Sequence, residues 1–248
     1  MTLGKQKRPL IIGHRGAKGE APENTLASFA LAVEQGANAL ELDIHLTVDG
    51  EIVVCHDPLI NRTTNGEGAI ANLTAAELKS LDAGGWFDPR YAGERIPLLE
   101  EVLAAVPAGV MLNIEVKCPY SGRLQERLVE LLERYDRLGS VVLSSFHHKV
   151  LLALKQANPR LQVGLLYRGN FVQHRKIAEI SGMEVYALHP YFTMVDAEDV
   201  ADAVEHGYKI FSFTVNDPEQ MRRVAELGVT GIGTDFPARL KEVLDSMN

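Results

Sequence analysis

The chain has 248 residues, 46% hydrophobic and 23% charged, which are ordinary proportions for a globular protein with a sizeable core. Lys and Arg number 25 against 33 Asp and Glu, a formal net charge of −8. That balance argues against nucleic acid as the main partner, because phosphate backbones need a basic footprint.

Cys55 and Cys118 are too few for a disulfide framework. No apolar run approaches the length that spans a bilayer, and the stretch after Lys5, Lys7 and Arg8 is too short for a signal core. The expectation is a reduced, cytoplasmic setting.

The first apolar run, Leu10-Ile11-Ile12, reads as a buried strand that ends in Gly13-His14-Arg15-Gly16. A strand that stops at a titratable ring and a guanidinium suits a site. Pro22 blocks an early helix, and Asn24 or Thr25 can cap one that runs through Leu26, Phe29, Ala30 and Val33. The second strand contains Leu40-Glu41-Leu42-Asp43-Ile44-His45. Alternation puts Leu40, Leu42 and Ile44 on one face and Glu41 and Asp43 on the other. In a parallel barrel the leucine face packs on helices, so the acids point to the lumen. Two such neighbours need a cation, protons or basic partners.

Asp49-Gly50 then signals a tight turn, and a short hairpin returns with His56 and Asp57 at its end. Residues 58–97 break the rhythm. They hold Asn65-Gly66, a helical piece near 75–81, and the only tryptophan, Trp86, with Phe87 and Tyr91 nearby. So long a connection inside a domain is usually functional or disordered, and the aromatic residues argue for order. It is expected to be a small subdomain over the barrel's C-terminal face, not a separate domain. In the third strand, 110–117, Asn113, Glu115 and Lys117 share a face, and Glu115 can complete a three-carboxylate cluster. Oxygen-only ligands suit one Mg²⁺ or Ca²⁺.

Further β-branched runs at 141–146, 162–167, 184–190, 209–215 and 231–236 alternate with amphipathic stripes. These stripes are Leu124, Leu128, Leu131 and Leu132; Val150, Leu151 and Leu154; Val200, Ala203 and Val204; Val224 and Leu227; and Leu240, Val243 and Leu244. Asp196 and Asn216-Asp217-Pro218-Glu219 mark helix starts, and Gly207 and Gly228 mark stops. Eight strands alternating with helices predict one α/β domain, a (β/α)₈ TIM barrel with a small insertion after the second strand. A doubly wound sheet is the runner-up, but Gly13-His14-Arg15-Gly16 is no dinucleotide turn. Two histidines beside a carboxylate-bound cation and an Arg–Lys anion pocket make a coherent phosphoryl-transfer site.

With these residues in place the sequence resembles the glycerophosphodiester phosphodiesterases. The matching pieces are His14-Arg15-Gly16, Pro22-Glu23-Asn24-Thr25, Glu41-Leu42-Asp43, His56-Asp57, the stretch from Arg62 to Gly66, Leu81-Asp82-Ala83-Gly84, Ile96-Pro97, Glu115-Val116-Lys117 and Thr214-Val215-Asn216. Their order covers about residues 10 to 236. The resemblance implies metal-dependent hydrolysis of small glycerophosphodiesters, such as those of choline and ethanolamine, to sn-glycerol 3-phosphate and an alcohol. It assigns the metal to Glu41, Asp43 and Glu115, acid–base work to His14 and His56, and the phosphate to Arg15 and Lys117. The nucleophile stays open between water and the substrate's own 2-hydroxyl, as does which histidine is the base. No counterpart is claimed for His45 or Tyr120-Ser121-Gly122.

Candidates for the rest of the substrate pocket are Asn24, Trp86, Phe213 and Asn216, with Phe146, Tyr167 and His189 also at strand ends. An isomerase or aldolase is less well supported, because Asp217 and Asp235 make the last two loops poor anion cradles. A non-catalytic scaffold would not need His14, Glu41, Asp43, His56 and Glu115 together. Lysophospholipase D activity would need an apolar exit groove.

Overall fold

A computed structural model describes residues 8–117 and 122–247. Lys5, Lys7, Cys118, Tyr120 and Ser121 lie outside them. In chain order the elements are β1 (Leu10–His14), α1 (Leu26–Glu34), β2 (Ala39–Leu46), β3 (Ile52–Val54), α2 (Ala75–Ser80), α3 (Leu99–Ala105), β4 (Met111–Val116), α4 (Gly122–Arg134) and β5 (Val141–Ser145). They continue with α5 (His148–Ala157), β6 (Gln162–Tyr167), α6 (Lys176–Glu179), β7 (Ala187–Pro190), α7 (Ala197–Glu205), β8 (Lys209–Ser212), α8 (Pro218–Glu226), β9 (Gly231–Thr234) and α9 (Pro237–Asp245).

All strands but β3 pair in parallel, in the order β1-β2-β4-β5-β6-β7-β8-β9, and β9 returns to β1. The result is the expected closed eight-stranded barrel with helices between its strands. β3 lies outside it, antiparallel to the last residues of β2 (Ile44↔Val54, His45↔Val53).

Period-two alternation decides what faces the lumen. Leu40, Leu42, Ile44, Leu112, Ile114 and Val116 are fully buried in the main core with the helices. The opposite faces of β2 and β4 look inward, where Ile12, Ala39, Val142, Ala187 and Phe211 fill the bottom. Above them the register sets His14 beside Glu41, Glu41 beside Asn113, and Asp43 beside Glu115.

The insertion has a core of its own. Ile60, Ile70, Leu78, Ala83 and Ile96 pack on Val53 and Cys55. Thr74 and Glu77 form a capping box that starts α2. The insertion also reaches the loop after β1, since Tyr91 Oη and Arg90 Nη2 donate to Glu20 O, each at 3.1 Å.

Two helical stripes differ from the expectation. On α1 the buried residues are Ser28, Phe29 and Ala32, while Ala30 is exposed. The helix turns this face inward because Ser28 Oγ donates to Arg15 O at 2.9 Å. On α7 Val200 and Ala203 span the contact and Val204 stays outside, 45% exposed.

Candidate active site

The loop after β1 is held in an unusual backbone state. Gly16 has φ +83°, and a Cβ there would collide with the backbone of Ser28 at 2.6 Å. Arg15 and Asn24 also take positive φ, 54° and 58°. Such a state costs a non-glycine residue about 1 kcal/mol or more. It lets the Arg15 N–H donate to Glu41 Oε2 at 3.0 Å while its guanidinium reaches Glu23 at 2.8 Å and Asp43 at 3.3 Å. Thr25, rather than Asn24, caps α1 by accepting from Ser28 N. Asn24 instead donates from Nδ2 to Asp43 Oδ2 at 2.8 Å.

Glu41, Asp43 and Glu115 each bring one oxygen into a group whose members all lie within 4.8 Å of one another. Glu41 and Asp43 are 8% and 1% exposed. Lys117 Nζ lies 2.9 Å from Glu115 and 3.3 Å from Asp43. Asp43 Oδ1 is buried without a hydrogen bond. Burial, then Asp43 and Glu115, drive Glu41 well above the usual carboxylate range. Burial and Asp43 push Glu115 up to about 7. Burial also acts on Asp43, but Lys117, Arg15 and His56 outweigh it and hold Asp43 below its ordinary value. One carboxylate held ionised and two carboxyls raised by burial and mutual repulsion converge there, as the oxygen ligands of a hard cation do. The donor set fits a divalent metal.

His14 Nδ1 lies 2.6 Å from Asp235 Oδ1, at the end of the neighbouring strand β9, and its Nε2 lies 3.9 Å from Glu41. Asp235 is itself held by Asn216 Nδ2 at 2.8 Å and faces Lys18 at 3.6 Å. His56 repeats the arrangement, with Nδ1 2.6 Å from Asp57 Oδ1. Arg62 Nε donates to the other Asp57 oxygen at 2.6 Å and brings Asp57 down to about 2. Burial lowers both histidines below 6.5, against the opposing pull of Asp235 on one and Asp43 on the other. Arg62 also grips Glu23 with two bonds of 2.8 Å, so Glu23 joins the insertion to Arg15.

A cavity of about 40 Å³ opens beside the acids. His14, Glu41, Asn113, Glu115, Leu166, His189 and Phe213 are among its lining residues. The structure thus places Phe213 in the cavity. Asn216 is elsewhere, committed to Asp235 and accepting from the Asp235 N–H. Asn24 serves Asp43. Trp86 does not line the cavity either, because its Nε1 donates to Ala83 O and its ring meets Phe87 edge-on at 5.7 Å within the insertion. Tyr167 turns outward to His174 at 3.0 Å. Asp235 is the residue that sequence reasoning missed. It counted there only as a charge that spoils an anion cradle, and the available signal was its place at the end of the strand that closes onto β1.

A model of the glycerophosphoryl diester phosphodiesterase family matches residues 14–239. The chain belongs to that family. A glycerophosphodiester phosphodiesterase of Caldanaerobacter subterraneus is 41% identical over 94% of this chain and 96% of its own length. An Oleispira antarctica phosphodiesterase, solved with the product sn-glycerol-3-phosphate, superposes with a TM-score of 0.88 at 32% identity, covering 96% of this chain and 97% of that one. A glycerophosphodiester phosphodiesterase of Agrobacterium tumefaciens superposes at 0.82 with 27% identity, covering 94% and 99%. Members of this family are enzymes, and the chain is a glycerophosphodiester phosphodiesterase by descent and by fold. Among the described residues no helix is long and apolar enough to cross a membrane.

Proposed function

We propose that this phosphodiesterase hydrolyses small glycerophosphodiesters, those of choline and ethanolamine among them, to sn-glycerol 3-phosphate and an alcohol. In this reading Glu41, Asp43 and Glu115 hold one divalent cation, Mg²⁺ or Ca²⁺. When bound, the cation neutralises charge on the phosphoryl oxygens. The observation that carries the reading is the convergence of three carboxylates within 4.8 Å beside His14, Arg15 and Lys117.

The chain's own groups supply the rest. Arg15 and Lys117, each ion-paired to Asp43, present fixed positive charge to the phosphate. Asp235 engages Nδ1 of His14 and leaves Nε2 toward the acids; Asp57 engages Nδ1 of His56. Both rings are therefore oriented by a carboxylate, and burial favours the neutral form of each, which makes the free ring a ready base and the protonated ring a stronger acid. One ring, neutral, takes the proton of the nucleophile; the other enters the step as an imidazolium and gives its proton to the leaving alkoxide, and exchange with solvent restores both before the next turnover. Such help is typically worth about 10²–10⁴ in rate. A single catalytic unit carrying the 58–97 insertion, in a cytoplasmic setting, belongs to the same proposal.

The test is release of glycerol 3-phosphate from glycerophosphocholine and glycerophosphoethanolamine with and without EDTA. The expected result is turnover that EDTA abolishes and Mg²⁺ or Ca²⁺ restores. Turnover indifferent to EDTA, or none on any glycerophosphodiester, would overturn the reading.

A further inference from the structure

Opposite the acids, the strand ends carry an aromatic cluster that already holds a cation. Phe213, which lines the catalytic cavity, meets Phe146 and Tyr191 edge-on, each at 6.0 Å between ring centroids. Arg168, just beyond β6, lies over both outer rings, with Cζ 5.2 Å from the Tyr191 centroid and 5.9 Å from that of Phe146. Arg168 is exposed, and among the described residues no carboxylate pairs with it. Acids of α7 and its cap have other partners. Asp202 takes Arg175 at 2.9 Å, and Asp196 and Asp199 form the capping box of α7.

A guanidinium stacked on ring faces keeps its in-plane N–H donors free, and these match a carboxylate or phosphate edge. The same stacking covers the ring faces that a quaternary ammonium would need. Both effects act in one direction. We infer that Arg168 selects the alcohol half of the substrate, favouring phosphodiesters whose alcohol carries an anionic group over those whose alcohol carries a cation. This rests on the phosphodiesterase reading above and names the substrate class within it.

The test uses three matched esters of glycerol 3-phosphate, with 3-hydroxypropionate, with propanol and with choline. For the unaltered protein we expect kcat/KM to fall in that order, by roughly tenfold from first to last, as an exposed charge contact turns from attraction to repulsion. Arg168→Gln should collapse the ratio toward one, Arg168→Glu should reverse it, and Arg168→Lys should keep part of it. A merely structural arginine would change all three esters alike. If the propanol ester is cleaved and the ratio stays the same in Arg168→Gln and Arg168→Glu, this inference is overturned and the hydrolase reading stands. If none of the three is cleaved, both fall.

Discussion

The two halves of the barrel mouth are built from opposite materials. On β1, β2 and β4 the inward strand ends carry His14, Glu41, Asp43, Glu115 and Lys117, two of them buried, the others half-buried, and all linked by ion pairs. Around β5 to β8 they carry Phe146, His189, Tyr191 and Phe213, linked by ring contacts. Charge in the first half is concentrated where burial strengthens it, as stabilising a developing phosphoryl charge requires. The second half offers area and shape and has one charge at its rim. The contrast separates bond-breaking from recognition of the departing alcohol, so damage to each half should have a different kinetic signature.

The largest expected loss tests the first half. His14→Ala or His56→Ala should cut kcat by about 10²–10⁴. Folding, followed by circular dichroism, and cation binding, followed by calorimetry, should be nearly unchanged. Asp43→Asn should cost about 10²–10³ in kcat and weaken calorimetric cation binding as well. Asp235→Asn leaves His14 in place but changes what its Nδ1 can bond; a loss of about 10–100-fold in kcat with little change in KM is expected. On the aromatic side, Phe213→Ala should raise KM a few-fold, from a lost ring contact of about 1 kcal/mol, and lower kcat less. An equal fall in kcat from Phe213→Ala and from Asp235→Asn would break the contrast.

The smallest effect is on stability. In the metal-free protein the Glu115 carboxyl is raised from 4.5 to about 7 by burial and Asp43. A raised acid holds its proton better when folded. Its stabilising contribution is therefore full below its unfolded pKa and is lost as pH rises through about 7. Between those limits the metal-free Tm should fall with pH by a few degrees more in the unaltered protein than in Glu115→Gln. Saturating Mg²⁺ or Ca²⁺ should remove that difference. Parallel melting curves with and without EDTA provide the check.

Much of the first half was legible because it is written in period two. Glu41 and Asp43 alternate with leucine and isoleucine, and Glu115 and Lys117 do the same, so a parallel barrel leaves them one direction to face. The barrel strands as a set were readable in another way, as short apolar, β-branched runs between amphipathic helical stripes. Asp235 was not, because its role depends on the register that brings β9 against β1. Asn216 read as a pocket residue but spends its amide on that aspartate. Trp86 drew attention by its rarity, yet its neighbours are the insertion's own residues. Arg168 gave no local signal at all, since the rings under it come from 146 and 191.

The bond between His14 and Asp235 joins residues 221 positions apart. A nascent chain released before β9 therefore lacks both the stave that shuts the cylinder and the tether on the imidazole. Half-made copies should be silent toward substrate instead of weakly competent, and specific activity becomes a count of finished molecules.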